Sequence, residues 1–368
     1  MILLSGEVGN YIISNGRKYS CFAGNNYLGL AAHPRVKEAV IRAVQKYGVN
    51  FAASRHTTGT SDLHLELESA LASFKGKEDA VVFASGYQGN SILLEILKGN
   101  YSTIFIDQSA HASIISAIPA DVVKVMFYDH CDAAHLDYLL DYNRGSSPLV
   151  ITDGIFALTG EIAPLNQIYE VAGKHNAILV VDDAHATGVL GATGKGTPEH
   201  FNLPVDAKVH QTETMSKALG GYGGFISASR SVTEMIREGS ATYQASTALP
   251  PPIAAAGIAS LAIIRENPDL RIRLLDNAWR IREAVTEMDF QTTHFRTPIV
   301  PIIMDAPEKA QGLSRFLEEN GVIAPFMNYP VRKAMHQIRI AVSASHTDDQ
   351  ISQLLGLLKQ WKDKHESN

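Results

Sequence analysis

The chain predicts an α/β fold: a large unit built on a mostly parallel, seven-stranded sheet, followed by a smaller α+β unit. Three observations carry this. Short apolar runs recur along the first two thirds of the chain, several of them separated by helical patterns. The runs are apolar nearly throughout rather than alternating, as in strands buried on both faces. After Pro250-Pro251-Pro252 the pattern changes to long helical stretches with only two strand-like runs. With 368 residues the chain is long enough for one large and one small domain. The boundaries expected are a lead-in segment at 1–30, a large domain at 31–265 and a small one at 266–368.

Taken in order, the lead-in has short apolar runs on either side of Asn15-Gly16, the signature of a tight hairpin. Pro34 opens a helix whose Val36, Val40 and Val44 fall on one face and which ends near Gly48. Thr60 or Ser61 caps the next helix, with Asp62 in its first turn and Leu63, Leu67, Leu71 and Phe74 as its buried stripe. The strands expected are 80–84, 103–107, 122–127, 149–153, 178–182, 208–212 and 225–228. Helices are expected at 89–97 and 165–175. The small unit reads as one helical stretch over 253–288, a strand at 299–304, a helix at 309–319, a strand at 337–342 and a last helix at 348–362.

Composition excludes several functions. Hydrophobic content of 45% and charged content of 19% support a sizeable core. A net charge of −6 argues against a nucleic-acid surface. Two cysteines, Cys21 and Cys131, make no disulfide framework and point to a reducing, cytoplasmic setting. Met1-Ile2-Leu3-Leu4 has no basic flank, so no signal peptide is expected. The apolar run 253–264 is too short to span a bilayer.

The chemistry centres on Thr214-Met215-Ser216-Lys217, followed by Gly220-Gly221 and Gly223-Gly224. Glycines let the backbone approach a ligand, hydroxyls suit a phosphate, and the lysine amine can form a Schiff base with a carbonyl substrate or with pyridoxal phosphate, PLP. Asp182-Asp183-Ala184-His185 closes an apolar strand. A carboxylate there can pair with a protonated pyridine nitrogen; a divalent-metal pair is the competing reading, and no third ligand lies nearby in sequence. Ser85-Gly86-Tyr87-Gln88 bridges a strand and a helix start, where an anion is favoured. His111 follows the strand ending at Asp107 and can stack on an aromatic ring or be satisfied within its loop. Two patterns fail. Gly191–Thr197 lacks the P-loop's first glycine and final hydroxyl residue. His130, Cys131 and His135 lack zinc spacing, and no metal site is expected.

Together these stretches resemble the α-oxoamine synthase family of PLP enzymes, within PLP-dependent transferase fold type I. The likeness runs from Asn25-Asn26-Tyr27-Leu28-Gly29-Leu30 to Arg339–His346. Between them lie Gly59-Thr60, His64, Leu67-Glu68, Ser85-Gly86-Tyr87, His111-Ala112-Ser113, Asp153-Gly154-Ile155-Phe156, Asp182–His185, Thr214–Lys217 and Ser246–Pro250. The resemblance implies that Lys217 holds the cofactor as a Schiff base and moves protons. Asp182 would pair with the pyridine nitrogen, His185 with the ring oxygen, and His111 would stack on the ring. Gly86, Tyr87 and Thr214 would hold the phosphate, joined by Thr247 from the partner subunit of a homodimer with shared sites. Asn25 and Arg339 would receive the carboxylate of a small amino acid, and a planar guanidinium suits that task. The family condenses that amino acid with an acyl thioester (acyl-CoA), releasing CoA and usually carbon dioxide.

Thr197-Pro198-Glu199-His200-Phe201 is similar to the biotin-pathway branch, which uses alanine to make 8-amino-7-oxononanoate. Arg55 with Gly59–Asp62 is closer to the glycine C-acetyltransferase branch. Three departures stand out: Ala157 where the family has serine, Thr159-Gly160-Glu161 for Asp-Gly-Asp, and a short lead-in. The alternatives are an aminotransferase, racemase or decarboxylase on the same scaffold, or a non-catalytic binding protein that keeps the fold.

Overall fold

The strands of the large unit alternate their side chains between two separate cores. Ile104, Ile106, Leu149, Ile151 and Val180 enter one cluster, and Phe105, Val150, Leu179 and Val181 enter the other. A period of two with apolar residues at every position buries both faces, which explains the uninterrupted runs in the sequence. Helices Gln88–Ile96 and Ala112–Ser116 pack on the first face. Helices Ala133–Tyr142 and Leu165–Lys174 pack on the second. The computed structural model describes residues 2–121, 124–204, 208–327 and 336–366. The chain divides into two compact units: one of residues 34–156 and 162–266, the other of 1–33, 157–161 and 267–368.

In the first unit the sheet order is Asp79–Phe83, Gly224–Ala228, Val209–Thr214, Ile178–Asp182, Pro148–Asp153, Thr103–Asp107, Lys124–Tyr128. Only Gly224–Ala228 runs antiparallel to its neighbours. The four strands that end at Asp107, Asp153, Asp182 and Thr214 therefore place these residues at one edge, the carboxyl edge where ligands gather in such sheets. The expected strand 122–127 is Lys124–Tyr128, and residues 122 and 123 lie outside the described residues.

Helix Asp62–Lys75 starts after Ser61, whose N–H donates to His64 Nδ1 at 3.1 Å, and stops at Gly76 with φ 69°. His64 is buried, and its Nε2 lies 2.6 Å from the Leu249 carbonyl oxygen.

One expectation is corrected. The helical stretch 253–288 is two helices, Pro251–Glu266 and Asp269–Glu287. Pro268 has no N–H to donate, and its ring would clash with the preceding turn, so the first helix ends before it. The division between the two units falls at the same place.

The second unit opens with the hairpin Tyr11–Ser14 and Arg17–Cys21. Asn15 (φ 49°) and Gly16 (φ 74°) make the left-handed two-residue turn that the sequence predicts. Val322–Ile323 extends this hairpin in parallel. A second sheet sets His336–Ala341 between Ile299–Met304 and Phe326–Met327. Helices Asp269–Glu287, Pro307–Glu319 and Asp348–Glu366 contribute to a single core with it. Among the described residues no helix is long and apolar enough to cross a membrane.

Candidate active site

Gly224 pairs with Phe83 on one side and with Thr214 on the other. This register brings the turn after Phe83 against Thr214. A β-carbon on Gly86 would lie 2.7 Å from Thr214 Oγ1, and one on Gly224 would lie 2.7 Å from the Gly86 Cα. Only glycine fits either place. Thr214 Oγ1 lies 2.6 Å from Ser216 Oγ and 2.9 Å from the Gly223 oxygen. Helix Gln88–Ile96 begins just after Gly86-Tyr87, so the positive end of its dipole and these hydroxyls together suit a phosphate. Tyr87 is half exposed, and its ring meets that of His111 edge-on at 6.5 Å.

Asp182 is buried. Its Oδ2 accepts Asn90 Nδ2 at 2.8 Å and Ser113 Oγ at 3.4 Å, and its Oδ1 accepts the Ala184 N–H at 3.2 Å. Thr212 Oγ1 donates to Asn90 Oδ1 at 3.0 Å, which fixes the asparagine's orientation. Ser113 also reaches His111, whose Nδ1 accepts the Ser113 N–H at 3.2 Å. Burial holds His111 below the usual histidine range against the upward pull of Asp182, and the Lys217 charge adds a smaller lowering. The neutral ring is thereby favoured, with its proton on Nε2. Lys217 is partly exposed in the turn after Thr214. His185 is buried two residues beyond Asp183.

Sequence reading did not single out Asn90 and Ser113 as the residues that orient Asp182. It also gave no role to Asp153, whose Cα is opposite that of Asp182 in the sheet register. Burial first, then the charge of Asp182, pushes Asp153 well above the usual carboxylate range, and its Oδ2 accepts the His111 N–H at 3.0 Å. A buried cluster lies beside Asp182 and Thr214 in sequence. Lys75 pairs with Glu213 and lies 3.8 Å from Asp183, all with side chains no more than 1% exposed. Burial pushes both carboxyls up, against the pull of Lys75. No local pattern joins positions 75, 183 and 213. Thr247, expected at a phosphate, is exposed, and its backbone bridges Ser54.

In the other unit, Arg339 lies on the middle strand of its sheet and is 7% exposed. Its guanidinium donates to four oxygens: Ala157 O at 2.6 Å, Gly24 O at 3.3 Å, Asn25 Oδ1 at 2.9 Å and Tyr27 Oη at 3.3 Å. All four acceptors are neutral groups, and among the described residues no carboxylate pairs with it. Asn25 turns its oxygen to Arg339, and among the described residues no acceptor takes its amide NH₂, which leaves it to a ligand.

The aminotransferase class I and II family model matches residues 18–358. The chain is 36% identical to the 8-amino-7-oxononanoate synthase of Geobacter sulfurreducens over 359 residues, 96% of this chain and 92% of that one. It belongs to the α-oxoamine synthases. Two solved structures agree. A serine palmitoyltransferase variant from S. paucimobilis with bound PLP has a TM-score of 0.94 at 26% identity, covering 100% of this chain and 94% of that one. An 8-amino-7-oxononanoate synthase from Francisella tularensis has a TM-score of 0.80 at 28% identity, covering 95% and 98%. The fold is thus PLP-dependent fold type I, and PLP is the cofactor of this α-oxoamine synthase. The residues present fit that group: a glycine cradle with two hydroxyls for the phosphate, a buried carboxylate held from behind, a neutral imidazole and a lysine.

Proposed function

We propose that this α-oxoamine synthase condenses alanine with an acyl thioester to give 8-amino-7-oxononanoate, releasing CoA and carbon dioxide. The carbon skeleton defines the donor. Alanine supplies two of the nine carbons after decarboxylation, so the thioester carries a seven-carbon acyl chain ending in a carboxylate. Bound PLP supplies an electron sink that makes the amino acid's α-proton removable.

The chain's own groups do the rest. Lys217 anchors the cofactor and carries the proton to and from the α-carbon. Asp182, fixed by Asn90 and Ser113, keeps a proton on the pyridine nitrogen. His185 donates to the ring oxygen, and His111 stacks on the ring. Gly86, Tyr87 and Thr214 hold the phosphate, with the partner subunit's Thr247 added in a cytoplasmic homodimer. Asn25 and Arg339 receive the amino-acid carboxylate.

The observation that carries the reading is the 36% identity, over 96% of this chain, to an 8-amino-7-oxononanoate synthase; the convergence of Asn90 and Ser113 on Asp182 supports its cofactor side, because a carboxylate so oriented serves a cationic ring nitrogen. Thiol release from the seven-carbon thioester, followed with alanine, glycine and serine, tests the substrate. Alanine should turn over fastest. Faster release with glycine would move the enzyme to the glycine-using branch. Sedimentation of the holoenzyme as single chains would contradict the dimer.

A further inference from the structure

Cys131 lies outside every role given above. The other cysteine, Cys21, is buried, and burial pushes its thiol up. Cys131 is partly exposed in the turn between strand Lys124–Tyr128 and helix Ala133–Tyr142. Its φ of 55° lies in the left-handed region that residues with a β-carbon seldom adopt. Asp107 holds it there: the Cys131 N–H donates to Oδ2 at 2.9 Å.

Asp107 also orients a base. Its Oδ1 accepts His130 Nδ1 at 2.8 Å and the Ser109 N–H at 2.8 Å. A carboxylate can only accept, so the His130 proton sits on Nδ1 and Nε2 is the basic nitrogen. That Nε2 lies 3.8 Å from Cys131 Sγ. The imidazole is held edge-on against Phe156, with ring centres 4.3 Å apart. Nucleophile, base and orienting carboxylate are therefore in sequence, the arrangement that activates a thiol. The three residues are also close enough to share a metal ion. However, both Asp107 oxygens already accept N–H groups, which leaves one nitrogen and one sulfur where a protein-bound zinc takes three or four protein ligands.

We propose that Cys131 is a reactive thiol that exchanges with low-molecular-weight disulfides, with His130 as its base and Asp107 as the positioning residue. The thiol proton passes to His130 Nε2. The Cys131 sulfur then attacks one sulfur of the disulfide, the S–S bond breaks, and a new S–S bond joins Cys131 to half of the reagent. The other half leaves as a thiolate, which takes up a proton from His130 or solvent. Cys131 is oxidised and the reagent is reduced. Such exchange needs a thiolate and access, with no separate group to stabilise an oxyanion.

The neighbouring titratable groups are Asp129 and Asp132 of the same turn, Tyr128 and His135 on the strand and helix that flank it, and Asp153 near Asp107 and Tyr128, besides Asp107 and His130. The carboxylates oppose thiolate formation, so its source is His130.

The test uses the PLP-loaded enzyme with 5,5′-dithiobis(2-nitrobenzoate), following thiolate release from pH 6.5 to 9 and locating the label by peptide mass. One thiol per chain should react, at Cys131. Its rate at pH 6.5 should stay within about tenfold of that at pH 9, whereas an ordinary thiol with a pKa near 8.5 loses about a hundredfold. His130→Gln should slow the reaction at least tenfold at pH 6.5 and restore the ordinary profile. The wild-type profile, run beside N-acetylcysteine, decides the matter even where that variant folds poorly. Prior labelling of Cys21, a Cys131 profile that follows N-acetylcysteine, or an unchanged rate in a folded His130→Gln variant would overturn the proposal.

Discussion

Replacing Arg339 with lysine keeps a positive charge and removes the planar fork. The four hydrogen bonds of the guanidinium reach Ala157, Gly24, Asn25 and Tyr27, and a lysine amine can keep only some of them. Two effects follow, and they separate. The Ala157 carbonyl loses its 2.6 Å donor, and because this acceptor is only part-buried the cost is about 1 kcal/mol, read as a lower Tm. A carboxylate ligand loses the charge-assisted bond from the one guanidinium N–H that these four leave over, worth about 1.5–3 kcal/mol. At about 1.4 kcal/mol per tenfold, the amino-acid KM should rise about tenfold to a hundredfold. The assay is initial-rate thiol release, varying the amino acid at saturating thioester and then the reverse, well below the variant's Tm. The thioester KM and the cofactor absorption should hold. A rise in the thioester KM alone would place Arg339 at the acyl donor. A lower Tm with both KM values unchanged would make it a structural pin.

Three further outcomes are expected. Lys217→Ala should lose the visible Schiff-base absorption of the PLP-loaded protein and nearly all thiol release; a persisting band would assign the cofactor to another lysine. Gly86→Ala places a methyl group 2.7 Å from Thr214 Oγ1 and should weaken PLP binding tenfold or more in an absorbance titration, whereas unchanged affinity would move the phosphate elsewhere. Asp153 has a raised folded-state pKa, so its contribution to stability is full below the unfolded value near 4 and is lost as pH rises through the folded value. Asp153→Asn removes that loss, so its Tm should gain on the wild type from pH 4 upward; a pH-independent difference would mean that Asp153 titrates normally.

The sequence was most legible where chemistry and local pattern coincide. The run Ile178–Asp182 is both an apolar strand and the carrier of a carboxylate at its carboxyl end, and it folds over those residues. The Asn15-Gly16 turn is specified by backbone freedom alone. The long helical reading over 253–288 failed because apolar composition hides a break that Pro268 imposes. What supports Asp182 was illegible for a different reason: Asn90 and Ser113 reach it from two helices distant in sequence. The same holds for Cys131. The sequence beside it holds His130 and His135, but the orienting carboxylate, Asp107, sits one strand away, where the parallel register sets it opposite Tyr128.

Carbon–carbon bond formation between an amino acid and an acyl thioester distinguishes this enzyme from an aminotransferase on the same fold. Its most direct test is the stoichiometry of one reaction with carboxyl-labelled alanine and the seven-carbon acyl thioester, counting free thiol, labelled carbon dioxide and product by mass. One thiol and one carbon dioxide should appear for each 8-amino-7-oxononanoate formed. Alanine converted to its 2-oxo acid with the amino group passed to another 2-oxo acid, and no thiol released, would contradict it.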